Sequence, residues 1–311
     1  MKRRQFIKKG ALTGSFLTFG SAAIASEMVT GTSSEVQQPH NFNLKYAPHD
    51  GMFKAHAGDS ILDQLHFMAD QGFTAFEDNE MKNRSVEEQK AMAKVMQERN
   101  LDMGVFVAHN IYWKEPNLAS GKQDWRDEFL NEIRESVEVA KRVNAKWMTV
   151  VPGHVDLRLN MNYQMANVIE TLKQASAILE PHELVMVLEP LNFRDHPGLF
   201  LTESPQAYEI CKAVDSPSCK ILFDIYHQQI QEGNLIPNIE HCWDEIAYFQ
   251  IGDNPGRKEP TTGEINYKNV FNYIHSRGFK GILGMEHGNS KDGKAGEIAV
   301  IDAYKKSDDF L

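Results

Sequence analysis

"CKILFD", residues 219–224, is an apolar run that closes on an acid, and a helical fragment containing His227 follows it. A strand buried on both faces has no use for a carboxylate at its end unless something there answers the charge. The pattern recurs. Short apolar runs stand at "LKYA" (44–47), "TAFE" (74–77), "DMGVFVA" (102–108), "KWMTVV" (146–151), "LVMVLE" (184–189), "IAYFQI" (246–251) and "GILGME" (281–286). Longer stretches with helical spacing lie between them. In 125–144, Trp125, Phe129, Ile133 and Val137 recur every fourth residue, and the helical pattern of 163–180 stops at Pro181. Gly72, Asn100, Asn144, Pro217 and Gly278 punctuate the ends of such segments. Apolar strands alternating with helices predict a parallel sheet covered by helices. Eight such units in about 265 residues predict an α/β fold, a (β/α)8 TIM barrel forming a single domain over residues 42–311. The alternative is an open doubly wound sheet, but no G-x-G-x-x-G follows the first strand.

Chemistry in such a barrel sits where the strands end. The fifth run ends on Glu189, the sixth on Asp224, the seventh on Gln250 and the eighth on Glu286. Four successive strands therefore bring a carboxylate or an amide to one mouth. Any one of them alone would read as an acid paired with a loop cation or capping a helix. Together they would repel, and a divalent cation resolves that cost. Three carboxylates and an amide oxygen form a hard, all-oxygen set, so one Mg²⁺ or Mn²⁺ is expected; zinc would more often recruit His or Cys.

The loops beyond the strands supply candidate substrate contacts. His227 follows Asp224 by three residues. Arg257 lies in a loop with Asp253, Glu259 and Glu264, where its planar donor fork suits oxygen ligands; the alternative is a surface loop with self-contained ion pairs. His109, in "VAHNIYW", is a third candidate, with Tyr112 or Trp113 as a wall. Glu77 and Glu80, in "EDNEM", read as structural.

Composition narrows the class. The net charge of −10 argues against nucleic acid or an acidic membrane surface as partner. Residues 1–25 read as an export signal of the twin-arginine kind, with Arg3-Arg4, Phe6-Ile7-Lys8 and a closing Ala23-Ile24-Ala25, so a periplasmic location is expected. A polar, flexible linker is expected over 26–41. Cys211, Cys219 and Cys242 are too few and too irregularly spaced for a disulfide framework or a zinc site, and buried free thiols are expected.

Several segments together resemble the hydroxypyruvate isomerase family, within the xylose-isomerase-like TIM-barrel group of sugar isomerases and epimerases. They are "LVMVLEPLN" (184–192) with "PGLFL" (197–201), "DIYHQQIQEGNL" (224–235), "FQIGDNPGRKEPTTGEINY" (249–267) and "GFKGILGMEHG" (278–288). The resemblance covers roughly residues 42–305, and the D-x-P-G-R-x-E-P-x-x-G-E-I-N-Y loop is its most specific part. It implies that Glu189 and Glu286 are both metal ligands and the acid–base pair, that Asp224 and Gln250 complete the metal site, and that His227 and Arg257 contact substrate. One departure is visible: the last strand runs on as Glu286-His287-Gly288-Asn289 where the family usually has Glu-Tyr, a basic residue and Pro.

The implied reaction is a metal-dependent aldose–ketose isomerisation, of hydroxypyruvate to tartronate semialdehyde or of a related small keto-sugar. One carboxylate takes a carbon-bound proton, an enediolate forms, and a carboxylate returns the proton to the neighbouring carbon. An epimerase or lyase acting on keto-sugars stays open, as does a non-catalytic sugar-binding barrel. A metal-dependent nuclease fits less well, because it needs more strand-end histidines and a surface less hostile to DNA. The expected partner is a small keto-sugar or hydroxy-keto acid; barrels of this type often pair, but no interface stripe is evident.

Overall fold

The structure, a computed structural model, describes residues 39–311. The export-signal expectation for residues 1–25 and most of the linker lie outside the described residues. Eight strands alternate with helices: β1 (Lys45–Ala47), β2 (Ala75–Phe76), β3 (Asp102–Met103), β4 (Trp147–Val150), β5 (Val185–Leu188), β6 (Cys219–Asp224), β7 (Ile246–Gln250) and β8 (Ile282–Gly284). Six pair in parallel in the order β1-β8-β7-β6-β5-β4, and β2 pairs with β3. Parallel bridges close the ring, His49 with Glu77 on one side and Val107 with Thr149 on the other. The Glu77 N–H donates to the Pro48 carbonyl at 3.0 Å, and the Thr149 N–H to that of Phe106 at 2.8 Å. The result is the TIM barrel that the alternating pattern predicts.

Two cores follow from the two-residue period of a strand. Ala47, Ala75, Val105, Val185, Val187, Leu222, Tyr248 and Ile282 pack together as the barrel's filling. Their neighbours Met186, Leu188, Ile221, Phe223, Phe249 and Leu283 belong to the larger cluster under the helices. Parity carries the inward series upward. Positions 185 and 187 lead to Glu189, 222 to Asp224, 248 to Gln250, 282 and 284 to Glu286, and 75 to Glu77. Each polar residue is thus the next inward rung after an apolar one.

The outer helices end where the sequence says. Asn100 and Asn144 take left-handed backbone (φ 54° and 55°) after helices Val86–Arg99 and Gln123–Val143. Pro217 does not play that part. Asp215, at φ 53°, caps helix Ser204–Val214 instead, and Pro217 lies beyond it. The three cysteines are free and buried. No helix among the described residues is long and apolar enough to cross a membrane.

Candidate active site

Asp224 is fully buried at the end of β6. Its Oδ1 accepts from the backbone N–H groups of Tyr226 (2.7 Å) and His227 (3.1 Å), capping helix Ile225–Gln231. Its Oδ2 is left to face the barrel mouth. Helix capping, one of the two roles the sequence allows, uses one oxygen of Asp224 and leaves the other free for the second.

Arg257 reaches the same mouth from the loop after β7. Its Nη2 donates to Asp224 Oδ2 at 2.8 Å and to Glu286 Oε2 at 2.7 Å. Two carboxylates on one nitrogen lie within two hydrogen-bond lengths of each other. The loop is built to hold this arginine inward. Buried Asp253 accepts from the N–H groups of Gly263 (2.8 Å) and Ile265 (3.1 Å), Arg257 sits at φ 48°, and its guanidinium stacks over Tyr226 at 4.9 Å. Glu259 accepts from the Ser290 N–H at 2.8 Å and Glu264 from the Asn254 amide at 2.7 Å, so these acids brace the loop and leave the arginine to the site.

Glu189, 7% exposed, stands opposite. Glu189, Asp224 and His227 offer atoms within 4.8 Å of one another, a spacing that could hold a cation. Burial pushes the Glu189 carboxyl well above its usual range, and the charges of Glu286 and Asp224 push it further. Glu286 is raised chiefly by burial, with Arg257 opposing. Its Oε1 also accepts from the Asn79 amide at 2.9 Å, a contact that no spacing or periodicity reveals.

The role of His227 turns on its proton. Asn192 Oδ1 accepts from the backbone N–H groups of Arg194 and Asp195, both at 3.0 Å, which fixes the NH₂ end of that side chain. The NH₂ then donates to His227 Nδ1 at 2.6 Å, and the Asn192 N–H approaches the same atom at 3.4 Å. Burial lowers the histidine pKa to about 4, so the ring is neutral. With Nδ1 accepting, Nε2 carries the hydrogen. Nε2 is buried without a hydrogen-bond partner, 3.6 Å from Asp224 Oδ2 and 3.9 Å from Glu189 Oε1. A nitrogen bearing a proton donates to oxygen and does not ligate metal. His227 therefore fits substrate contact, although its position would also suit a ligand.

Gln250 pairs in register with Asp224 across β6 and β7. Its Nε2 donates to Glu77 Oε1 at 2.9 Å, while its Oε1 is buried without a partner. The clustered carboxylates of Glu189 and Asp224, Glu286 joined to Asp224 through Arg257, and this orphaned amide oxygen in register with Asp224 have the donor chemistry of a hard divalent cation's ligands. Glu77 itself sits one layer lower, 1% exposed.

His109 lines the cavity but has nothing left to give. Nδ1 pairs with the Asn110 carbonyl at 2.9 Å and Nε2 accepts from the Val151 N–H at 3.3 Å. It serves as wall, where the sequence suggests substrate contact. Trp113 also lines the cavity, stacked on His196 at 5.1 Å, while Tyr112 turns away to Glu128.

Residues 65–306 match the family described as xylose isomerase-like TIM barrel. The chain belongs to that family. Among curated relatives it is 31% identical over 179 residues to hydroxypyruvate isomerase of Escherichia coli, covering 58% of this chain and 69% of that one. It is 30% identical over 160 residues to 2-oxo-tetronate isomerase of Cupriavidus necator, covering 51% and 62% respectively. A crystal structure titled AP endonuclease, family 2, from Brucella melitensis superposes with a TM-score of 0.72 at 24% identity, over 81% of this chain and 96% of that one; this likeness speaks to the fold alone.

Proposed function

We propose that this family member is a metal-dependent isomerase of the hydroxypyruvate isomerase type, acting on a small keto acid or keto-sugar. The carrying observation is the pair Glu189 and Glu286 at one mouth, with Asp224 and His227 within 4.8 Å of Glu189 and with Glu286 joined to Asp224 through Arg257. The isomerase names of its relatives support the reaction class. Glu189, Asp224, Glu286 and the Gln250 carbonyl would hold Mg²⁺ or Mn²⁺, which supplies positive charge beside the substrate's oxygens. Glu189 and Glu286 then share the proton transfer. A carboxylate held against the reacting carbon takes the proton as base and, once protonated, returns it as acid. The His227 Nε2–H and the Arg257 guanidinium steady the oxygen that gains charge.

A second substrate reading has its own support. The cavity, open to solvent, measures about 430 Å³, room for ligands larger than a three-carbon keto acid. The charge of each cation that reaches it is already answered by acids. Arg257 serves two carboxylates, and Lys82 donates to the Ala108 carbonyl at 3.0 Å and pairs with Glu135 at 3.4 Å. An uncharged, longer keto-sugar, isomerised or epimerised by the same glutamates, suits that lining. The Arg3-Arg4 leader supports placing this chemistry in the periplasm.

The test is turnover by metal-loaded protein on a panel of small keto acids and keto-sugars. Glu189→Gln and Glu286→Gln should each lower the rate by about 10²–10⁴-fold from acid–base loss alone. A variant that keeps its metal and a near-normal rate rejects the assignment.

A further inference from the structure

Beneath the barrel mouth, Gln250 is tied into a buried polar chain whose other members the proposed chemistry does not use. The Val105 N–H donates to the Tyr248 hydroxyl oxygen at 3.4 Å, and the Tyr248 O–H donates to Glu77 Oε2 at 2.7 Å. Glu77 Oε1 accepts from Gln250 Nε2 at 2.9 Å. Space has been cleared for it. A Cβ on Gly284 would lie 1.8 Å from Glu77 Oε2, and one on Gly104 would lie 2.4 Å from the Tyr248 oxygen. Burying an acid among apolar strands costs stability that a hydrophobic side chain would not.

The order of donors and acceptors gives the chain a direction. A backbone N–H fixes the Tyr248 oxygen as acceptor, so the tyrosine proton goes to Glu77. Glu77, accepting at both oxygens, receives the NH₂ end of Gln250. The Gln250 carbonyl oxygen is thereby turned out of the chain, and it is the atom buried without a partner next to Asp224. We propose that Glu77 is a positioning residue, which takes the amide hydrogen of Gln250 and so fixes the Gln250 carbonyl oxygen as a ligand for the divalent cation. This inference rests on the metal reading above and adds a residue to it.

The test is Mn²⁺ affinity measured by titration calorimetry without substrate. In Glu77→Gln the introduced amide must turn its carbonyl to Tyr248, whose proton has no other acceptor in the chain. Its NH₂ then faces Gln250, the Gln250 amide flips, and N–H groups point at the cation. Affinity should fall about 10–100-fold, as for other outer-shell partners. Adding Gln250→Glu should bring it back to within about threefold of wild type, because a carboxylate accepts from the new amide and still presents an oxygen. Adding Tyr248→Phe instead should also restore it, by freeing the new amide to accept from Gln250. A merely structural role predicts neither rescue. Wild-type affinity in Glu77→Gln, or loss without rescue in folded double variants, overturns the inference and leaves the metal reading standing. Should the single variant fail to fold, near-wild-type binding by Glu77→Gln/Gln250→Glu supports the inference and its absence overturns it. No Mn²⁺ binding by the wild type removes the metal reading and this inference together.

Discussion

One nitrogen of Arg257 bridges Asp224 and Glu286, and that contact organises the site at the scale of single residues. The guanidinium offsets repulsion among the acids and, in the proposed reaction, is a charge-assisted donor toward substrate oxygen. Its second duty gives a kinetic prediction. Arg257→Ala should raise KM about tenfold or more, the worth of a charged hydrogen bond, with a smaller change in kcat. An unchanged KM across the keto acids and keto-sugars would reject substrate contact. What a sequence shows of such residues is their position, and what it withholds is their hydrogen-bond direction. Asp224 and Glu286 were legible as strand-end acids. The proton on His227 Nε2 was not, because it depends on Asn192, 35 residues away, and on backbone amides that orient it.

At the scale of elements, strand parity explains both the success of the reading and its main gap. Four apolar runs ending in Glu189, Asp224, Gln250 and Glu286 announce their inward rungs, since a two-residue period admits one choice of face. Glu77 ends "TAFE" in the same phase, but β2 is only two residues long and the acid lies deep beside Gly284. No periodicity reveals that a glycine on β8 makes room for an acid on β2. Gly284→Ala should therefore destabilise the barrel by about 1–3 kcal/mol through overpacking against Glu77. Urea unfolding measures it, and a wild-type midpoint would show that the acid moves aside freely. The helix stops were legible where Asn takes left-handed backbone, and not at Asp215, an ordinary residue forced into that role by the turn.

Across the whole molecule, closing eight strands removes every sheet edge and concentrates the barrel's cost in a few buried ionisable groups. His109, 4% exposed with both nitrogens on backbone partners, is held neutral; burial lowers its pKa to about 4, against about 6.5 when unfolded. The sign follows from proton counting. Between pH ~6.5 and ~4 the unfolded chain binds a proton at this residue and the folded chain does not. Its contribution is full above that window and lost as pH falls through it, by up to ~1.4 kcal/mol per pH unit. Unfolding free energies at pH 7, 6 and 5 should fall less steeply in His109→Gln than in wild type; equal slopes would contradict the assignment.

The joined acids at the barrel mouth make one claim above the others: that they move a proton to and from carbon. Solvent exchange reads it directly. A small keto acid or keto-sugar incubated in D₂O with the Mg²⁺-loaded protein should lose the NMR signal of the hydrogen beside its carbonyl. The loss should require the metal and vanish in Glu189→Gln and in Glu286→Gln. Retention of that hydrogen in every compound by metal-loaded protein, or undiminished exchange in both glutamine variants, would contradict the account.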